Sequence, residues 1–185
     1  MDTVEFIRTA QQDWFDRMRP YLLGANLNVG SGHGFFSQAA RQAGIRMTSL
    51  EVAVHDGAVD RGELALYDGA HMPFRDGAFD ASIAMYVLHH TVDPATVLAE
   101  MKRVSRRRVI LVEELYRHLP GKLRLAFLDY AVNATSGLKS PIRWRSYLTR
   151  GRLTELANAG GWAVTHTEAT PRLGFDEVLW IIDKA

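Results

Sequence analysis

The stretch Asn28-Val29-Gly30-Ser31-Gly32-His33-Gly34 carries the strongest chemical signal in this chain of 185 residues. Glycine lets a backbone approach a ligand closely. A helix starting just beyond would add free amides and a partial positive charge, suited to a polar or anionic group. A tight turn with no ligand is the plain alternative. Spacing narrows the choice: a dinucleotide fold asks for G-x-G-x-x-G, which needs glycine at position 35, and this chain has Phe35. That argues against a nicotinamide oxidoreductase.

His89 and His90 form the second feature. An imidazole titrates near neutrality and can accept a proton from a hydroxyl, amine or acidic carbon. His33, inside the glycine loop, is a third candidate. A histidine at a strand end also serves packing or capping, so position alone does not assign it. The chain has no cysteine, which excludes disulfides, thiolate metal sites and a cysteine nucleophile; no metal site is expected.

The elements that must position these residues follow from periodicity. Val4, Ile7, Trp14, Phe15, Met18, Tyr21 and Leu22 recur at helical spacing, giving an amphipathic helix over 4–23. Residues 26–30 read as a buried strand, and 34–43 as a helix closed by Gly44. Strands follow at 45–52 and 63–67, then at 79–88, an apolar run suited to burial on both faces. Asp93 reads as an N-cap with Pro94 at the first helical position, and a strand follows at 109–112. This alternation predicts a mainly parallel sheet with covering helices. Residues 119–147 read as an inserted helix and loop, 149–159 as a helix, and 162–167 and 177–182 as two strands joined closely enough to be antiparallel.

At this point the chain resembles the class I S-adenosylmethionine (SAM)-dependent methyltransferases, especially the methyltransferase type 11 group. The glycine loop, Glu51 located 21 residues after Gly30, Tyr67-Asp68-Gly69-Ala70-His71-Met72-Pro73-Phe74, Asp76-Gly77-Ala78-Phe79-Asp80, and Tyr86-Val87-Leu88-His89-His90 before Asp93-Pro94 fall in that family's order. The resemblance spans residues 23–112. It implies an α/β fold: a Rossmann-like, mainly parallel seven-stranded sheet with helices on both faces and an antiparallel C-terminal edge pair. It also implies one methyltransferase-like domain over 1–185: an N-terminal helix (1–23), a cofactor half (24–112), an insertion or lid (113–148), and a C-terminal helix with edge strands (149–185).

The implied cofactor is SAM, with S-adenosylhomocysteine as product. Its expected contacts are Asn28, Gly30, Ser31, Gly32, Gly34, Glu51, Asp68, Gly69, Ala70 and Tyr86. Glu51 would accept from the ribose hydroxyls and Asp68 from the adenine amino group. His89 and His90 are the expected bases. Three departures stand out: Asn28 replaces the usual Asp, the segment between Glu51 and Asp68 is short for the usual helix, and Arg106-Arg107-Arg108 replaces a common K-P-G-G turn.

The expected reaction moves a methyl group to an oxygen, nitrogen or carbon nucleophile on a small molecule. A non-catalytic methyltransferase-like binding partner is the alternative. Acceptor recognition is expected from Trp14, Phe15, Phe127, Tyr130, Trp144 and Tyr147 with Lys122, Arg124, Lys139, Arg143 and Arg145, which would suit an apolar or anionic molecule. The formal charge of +1 supplies no global field for nucleic acid, and no segment reads as a membrane span. No signal peptide is legible at the start, so a cytoplasmic location is expected.

Overall fold

The computed structural model describes residues 3–60, 64–138 and 140–185. Its elements run α1 (Thr3–Met18), β1 (Ala25–Val29), α2 (Phe35–Gln42), β2 (Arg46–Glu51), β3 (Leu64–Leu66), β4 (Phe79–Met85), α3 (Pro94–Val104), β5 (Ser105–Tyr116), α4 (Leu119–Ser136), α5 (Arg150–Ala157), β6 (Trp162–Pro171) and β7 (Phe175–Lys184). Short 3-10 turns cover Arg19–Tyr21, Leu88–His90 and Trp144–Ser146. Glu63 and Lys139, which entered the reading of the sequence, lie outside the described residues.

The sheet order is β3-β2-β1-β4-β5-β7-β6. β1 to β5 are parallel, and β7 runs antiparallel to both β5 and β6. The expected antiparallel pair is present, but its second strand inserts beside β5 and leaves β6 at the edge. Alternation along β5 shows how both faces are buried: Val109 and Leu111 join the cluster containing Leu98, Met101 and Leu153 of α3 and α5, while Ile110 and Val112 join Trp14, Met18 and Phe36 of α1 and α2. Successive side chains on a strand point to opposite faces, so this strand serves two cores. Burying Trp14, Phe15 and Met18, at roughly 1.5–3 kcal/mol each, docks α1 on the sheet.

Local signals set several boundaries. Asp93 caps α3 by accepting the Ala95 amide, and Thr149 caps α5 by accepting from Arg152. The arginine run begins β5 instead of forming a turn. Arg106 pairs with Asp80 at 3.2 Å and Arg108 with Asp183 at 2.7 Å, so neighbouring carboxylates make a basic sequence compatible with a strand. At its other end β5 runs past Val112, paired with β7, and carries Glu113 and Glu114 to the carboxyl end of the sheet.

Candidate functional site

The carboxyl ends of β1, β2, β4 and β5 open into one cavity of about 900 Å³. Open α/β sheets bind ligands there, at the point where strand order reverses; here β1 is followed outward by β2 on one side and β4 on the other. Gly30 leaves β1 with φ +66°, and a Cβ added to it would lie 2.5 Å from Val87 Cγ2. Glycine is therefore required by both backbone sterics and the close approach of the β4 turn.

Glu51 organises this end. One carboxylate oxygen accepts from the Gly32 amide at 2.9 Å and the other from Val52 at 2.8 Å, with His55 Nε2 at 3.5 Å. Burial pushes the carboxyl up, but hydrogen bonds from His55, Gly32 and Val52 outweigh it and hold Glu51 below its ordinary value. Asp68 folds onto its own turn, accepting from Ala70 and His71 amides at 2.8 and 2.6 Å. The His71 amide and ring, with the Ala70 amide, hold this exposed carboxyl far below the usual range.

The expected cofactor contacts divide. Gly30, Gly32, Glu51, Asp68, Gly69, Ala70 and Tyr86 line the cavity, whereas Asn28, Ser31 and Gly34 are off its wall. Asn28 is buried under α2, where its amide donates to Ser37 Oγ at 2.9 Å. Ser37 meets Ser49 at 2.8 Å, and Ser49 bonds Asp60. Asn28 thus supports the loop from behind. Ser31 turns its hydroxyl into the protein, and Asp60 packs where a Gly34 side chain would stand.

The described residues fit SAM. Glu51 and Asp68 are paired acceptors for sugar hydroxyls and an amino group, and the backbone of Gly30, Gly32 and Gly69 lines the cavity beside them together with Val52, His55 and Tyr67. The described residues 52–60, which follow Glu51, form turns, in keeping with the short connection noted in the sequence.

Across the cavity, β4 leads into Tyr86, the non-glycine residue with positive φ (+56°) among the described residues. A tyrosine there costs roughly 1–3 kcal/mol. It is held by its amide donating to Val112 O at 2.8 Å, by Trp14 Nε1 donating to its hydroxyl at 2.9 Å, and by that hydroxyl donating to Glu177. Arg172 completes the row by donating to the other Glu177 oxygen at 2.8 Å.

The two expected bases separate as well. His90 lines the cavity, its Nδ1 at 3.0 Å from the Pro141 carbonyl. His89 is fully buried off the wall, its Nδ1 at 2.6 Å from Glu113. Burial would lower His89, yet Glu113 and Asp129 outweigh it and lift it to about 9. Burial and the neighbouring His89 lower His90. His33 is buried against Phe35, away from the cavity.

Glu114 was not anticipated. It lines the cavity half-buried and makes no hydrogen bond within the described residues. Burial lifts it to about 7, with Asp129, Glu113 and Glu177 adding to the rise against the opposing effect of His89. Its signal in the sequence is an acid just past the apolar run 109–112. Gln11 was also missed; its side chain accepts the Phe36 amide at 2.9 Å and caps α2 from α1.

Of the expected acceptor-recognition residues, Trp14 and Arg143 reach the cavity. Phe15 and Tyr147 are core, Phe127, Tyr130 and Trp144 face outward, and Lys122 lies over the Tyr116 and Trp144 rings.

The comparisons with known proteins agree with this geometry. Residues 27–112 match the methyltransferase domain family model. Over that segment, less than half of the chain, the sequence is similar to the methyltransferase domain family, and the sheet order described above agrees with the fold of solved methyltransferases. It is 33% identical over 85 residues to an uncharacterised methyltransferase of Mycobacterium sp. (strain KMS), covering 43% of this chain and 34% of that protein. Over 112 residues it is 30% identical to a demethylmenaquinone methyltransferase of Parafrankia sp. (strain EAN1pec), covering 54% of this chain and 44% of the relative. The chain thus spans between a third and a half of these relatives' length. Among solved structures, magnesium protoporphyrin IX methyltransferase from Synechocystis PCC 6803 with bound S-adenosylhomocysteine superposes with TM-score 0.67 at 14% identity, over 97% of this chain and 85% of that one. No helix among the described residues is long and apolar enough to cross a membrane.

Proposed function

We propose that the chain transfers a methyl group from SAM to an oxygen, nitrogen or carbon nucleophile of a small molecule and releases S-adenosylhomocysteine. The observation that carries this reading is a single cavity shared by two unlike halves. One half has glycine backbone, Glu51 and Asp68; the other has Trp14, Tyr86, His90 and Glu114. We take the chain to act as one unit in which α1 and the segment 113–148 complete the acceptor half.

SAM, when bound, supplies an electrophilic methyl on a sulfonium. Glu51 and Asp68 would then accept from its ribose hydroxyls and adenine amino group, and the glycine loop lets the backbone approach it closely. In the acceptor half, Trp14 and Tyr86 present aromatic surface that excludes water. Glu114, half ionised near neutral pH, is placed to take a proton from an acceptor hydroxyl or amine. His90 presents its Nε2 to the same space and orients the acceptor. His89, though expected as a base, serves instead as a buried support. Small-molecule acceptors accord with the names of similar proteins, which act on demethylmenaquinone and magnesium protoporphyrin IX. Glu114, Asp129 and Glu177 on the wall favour an acceptor that donates hydrogen bonds, in place of the anionic one expected from the basic insertion.

The test is calorimetric titration of purified protein with SAM and S-adenosylhomocysteine, repeated on Gly32→Val and Glu51→Ala. Micromolar binding lost in both variants supports the assignment. A well-folded wild type that binds neither ligand overturns it in favour of a non-catalytic binding partner.

A further inference from the structure

The turn after β4 brings two imidazoles and a carboxylate together beside the acceptor half. Ligand-capable atoms of His89, His90 and Asp129 all lie within 4.8 Å of one another. In each histidine Nδ1 already faces an acceptor, Glu113 at 2.6 Å for His89 and the Pro141 carbonyl at 3.0 Å for His90. With the ring proton on Nδ1, both Nε2 lone pairs can coordinate, and metal binding displaces the second proton that Glu113 and Asp129 favour on His89. A metal-bound histidine is commonly oriented in this way, by a carboxylate or carbonyl on its second nitrogen.

A second observation points to a cation. His89 Nε2 is fully buried and has no hydrogen-bond partner; it is aimed at Asp129 Oδ2, 3.7 Å away. Glu113 and Asp129 flank this ring; Asp129 Oδ2 also accepts from the Tyr147 hydroxyl, and among the described residues neither carboxylate pairs with lysine or arginine. Arg143 donates to the His90 carbonyl instead. A proton on Nε2 would answer the charge yet leave a buried N–H without an acceptor in range, which is costly. An ion shared by three donors satisfies charge and coordination together.

We propose that His89, His90 and Asp129 bind a divalent first-row transition ion, Zn²⁺ being the best match, through two Nε2 atoms and one carboxylate oxygen. Two imidazoles and a carboxylate with an open position form a known catalytic ligand class, and they select such ions over Mg²⁺. Metal–nitrogen bonds of about 2.0 Å place tetrahedral ligands about 3.3 Å apart, so donors now within 4.8 Å of one another close by up to about 1.5 Å on binding. No metal site was expected from the sequence, which lacks cysteine, but imidazole and carboxylate ligands need none. His90 and Asp129 line the cavity, so the open position faces the acceptor, where the ion polarises an acceptor oxygen. That use rests on the function proposed above; the binding itself does not.

The experiment uses the untagged 185-residue chain, stripped with a chelator and desalted, at pH 8. Calorimetric titration with ZnCl₂ and absorption titration with CoCl₂ should each give one equivalent, with visible d–d bands for Co²⁺, while MgCl₂ at the same concentrations gives no heat. H90A and D129N should abolish binding, and Glu113→Gln should weaken it about 10- to 100-fold. His166→Ala, in an exposed pair with Glu168, should leave it unchanged. Circular dichroism of each variant establishes folding. SAM affinity is measured on the same samples. Protein that binds SAM but takes up no stoichiometric Zn²⁺ or Co²⁺ overturns the metal site alone, as does binding that survives in an H90A D129N double variant. Loss of SAM binding with metal binding intact overturns only the methyltransferase proposal.

Discussion

Glu51, the last residue of β2, accepts the Gly32 amide at 2.9 Å and so ties the second strand to the loop that follows the first. An aligned, buried acceptor of this kind sets the distance between the loop and the carboxyl end of β2 before any ligand arrives. Glu51→Gln removes the charge and one of the acceptors on which Gly32 and Val52 rely. We expect a loss of roughly 1–3 kcal/mol in stability, the cost of leaving a buried donor unpaired, and at least a tenfold weaker SAM affinity. Denaturant unfolding and calorimetric titration read the two separately.

Gly30→Ala tests the approach of β1 to the β4 turn. The added methyl would meet Val87 at 2.5 Å on a backbone of positive φ. A variant with the same melting temperature and SAM affinity as wild type would show that the loop relaxes freely, contrary to expectation. The expected result is a fall of several degrees together with weaker binding.

The buried row Asn28, Ser37, Ser49, Asp60 has one proton for each hydroxyl. Asn28 donates into Ser37, Ser37 into Ser49, and Ser49 into Asp60, so every link is served. Asn28→Asp, which restores the family's usual residue, puts an acceptor at each end and deprives one link of its proton. The expected cost is about 1–3 kcal/mol. Asn28→Asp combined with Asp60→Asn reverses the row and should recover much of that loss, as a favourable coupling in a double-mutant cycle. Additive losses in the double variant would refute the ordered row.

Glu114 sets the expected pH dependence. Its carboxyl is lifted to about 7 by burial first and by the Asp129, Glu113 and Glu177 charges next. As a base it acts when ionised, so the methyl-transfer rate should rise as pH increases through about 7 and then level. Glu114→Gln should abolish that limb. Stability runs the other way: a carboxyl raised on folding is destabilising once ionised, so stability falls between the unfolded value and about 7. Glu114→Gln should therefore raise the melting temperature at pH 8 and leave it nearly unchanged at pH 4.

Tyr86→Phe leaves Trp14 Nε1 without its acceptor and Glu177 with Arg172 alone. We expect a loss of about 1–2 kcal/mol with SAM affinity within twofold of wild type, because the hydroxyl faces the acceptor half. A drop in SAM affinity exceeding tenfold would place Tyr86 at the cofactor instead.

Much of this was legible in the sequence because it is local. Strand and helix periodicity, the Asp93-Pro94 cap and the glycine loop depend on neighbours within a turn or two, and each element formed within a few residues of where the pattern placed it. The order Gly30, Glu51, Asp68, His89 along the chain also reports strand ends, since a parallel sheet with short connections brings successive carboxyl ends to one side. Which side chains face the cavity was decided only by tertiary structure. Strand alternation and the covering α2 turned Asn28 inward; ion pairs with Asp80 and Asp183 drew the arginine run into β5, and pairing with β7 carried that strand on to Glu114. Asp129 and Glu177 reach the site from residues outside the recognised half, and the chain folding back from α4 and β7 brought them there. A pattern of residue types encodes burial along one element, whereas a site with a shifted carboxyl and two oriented histidines is a property of distances between elements.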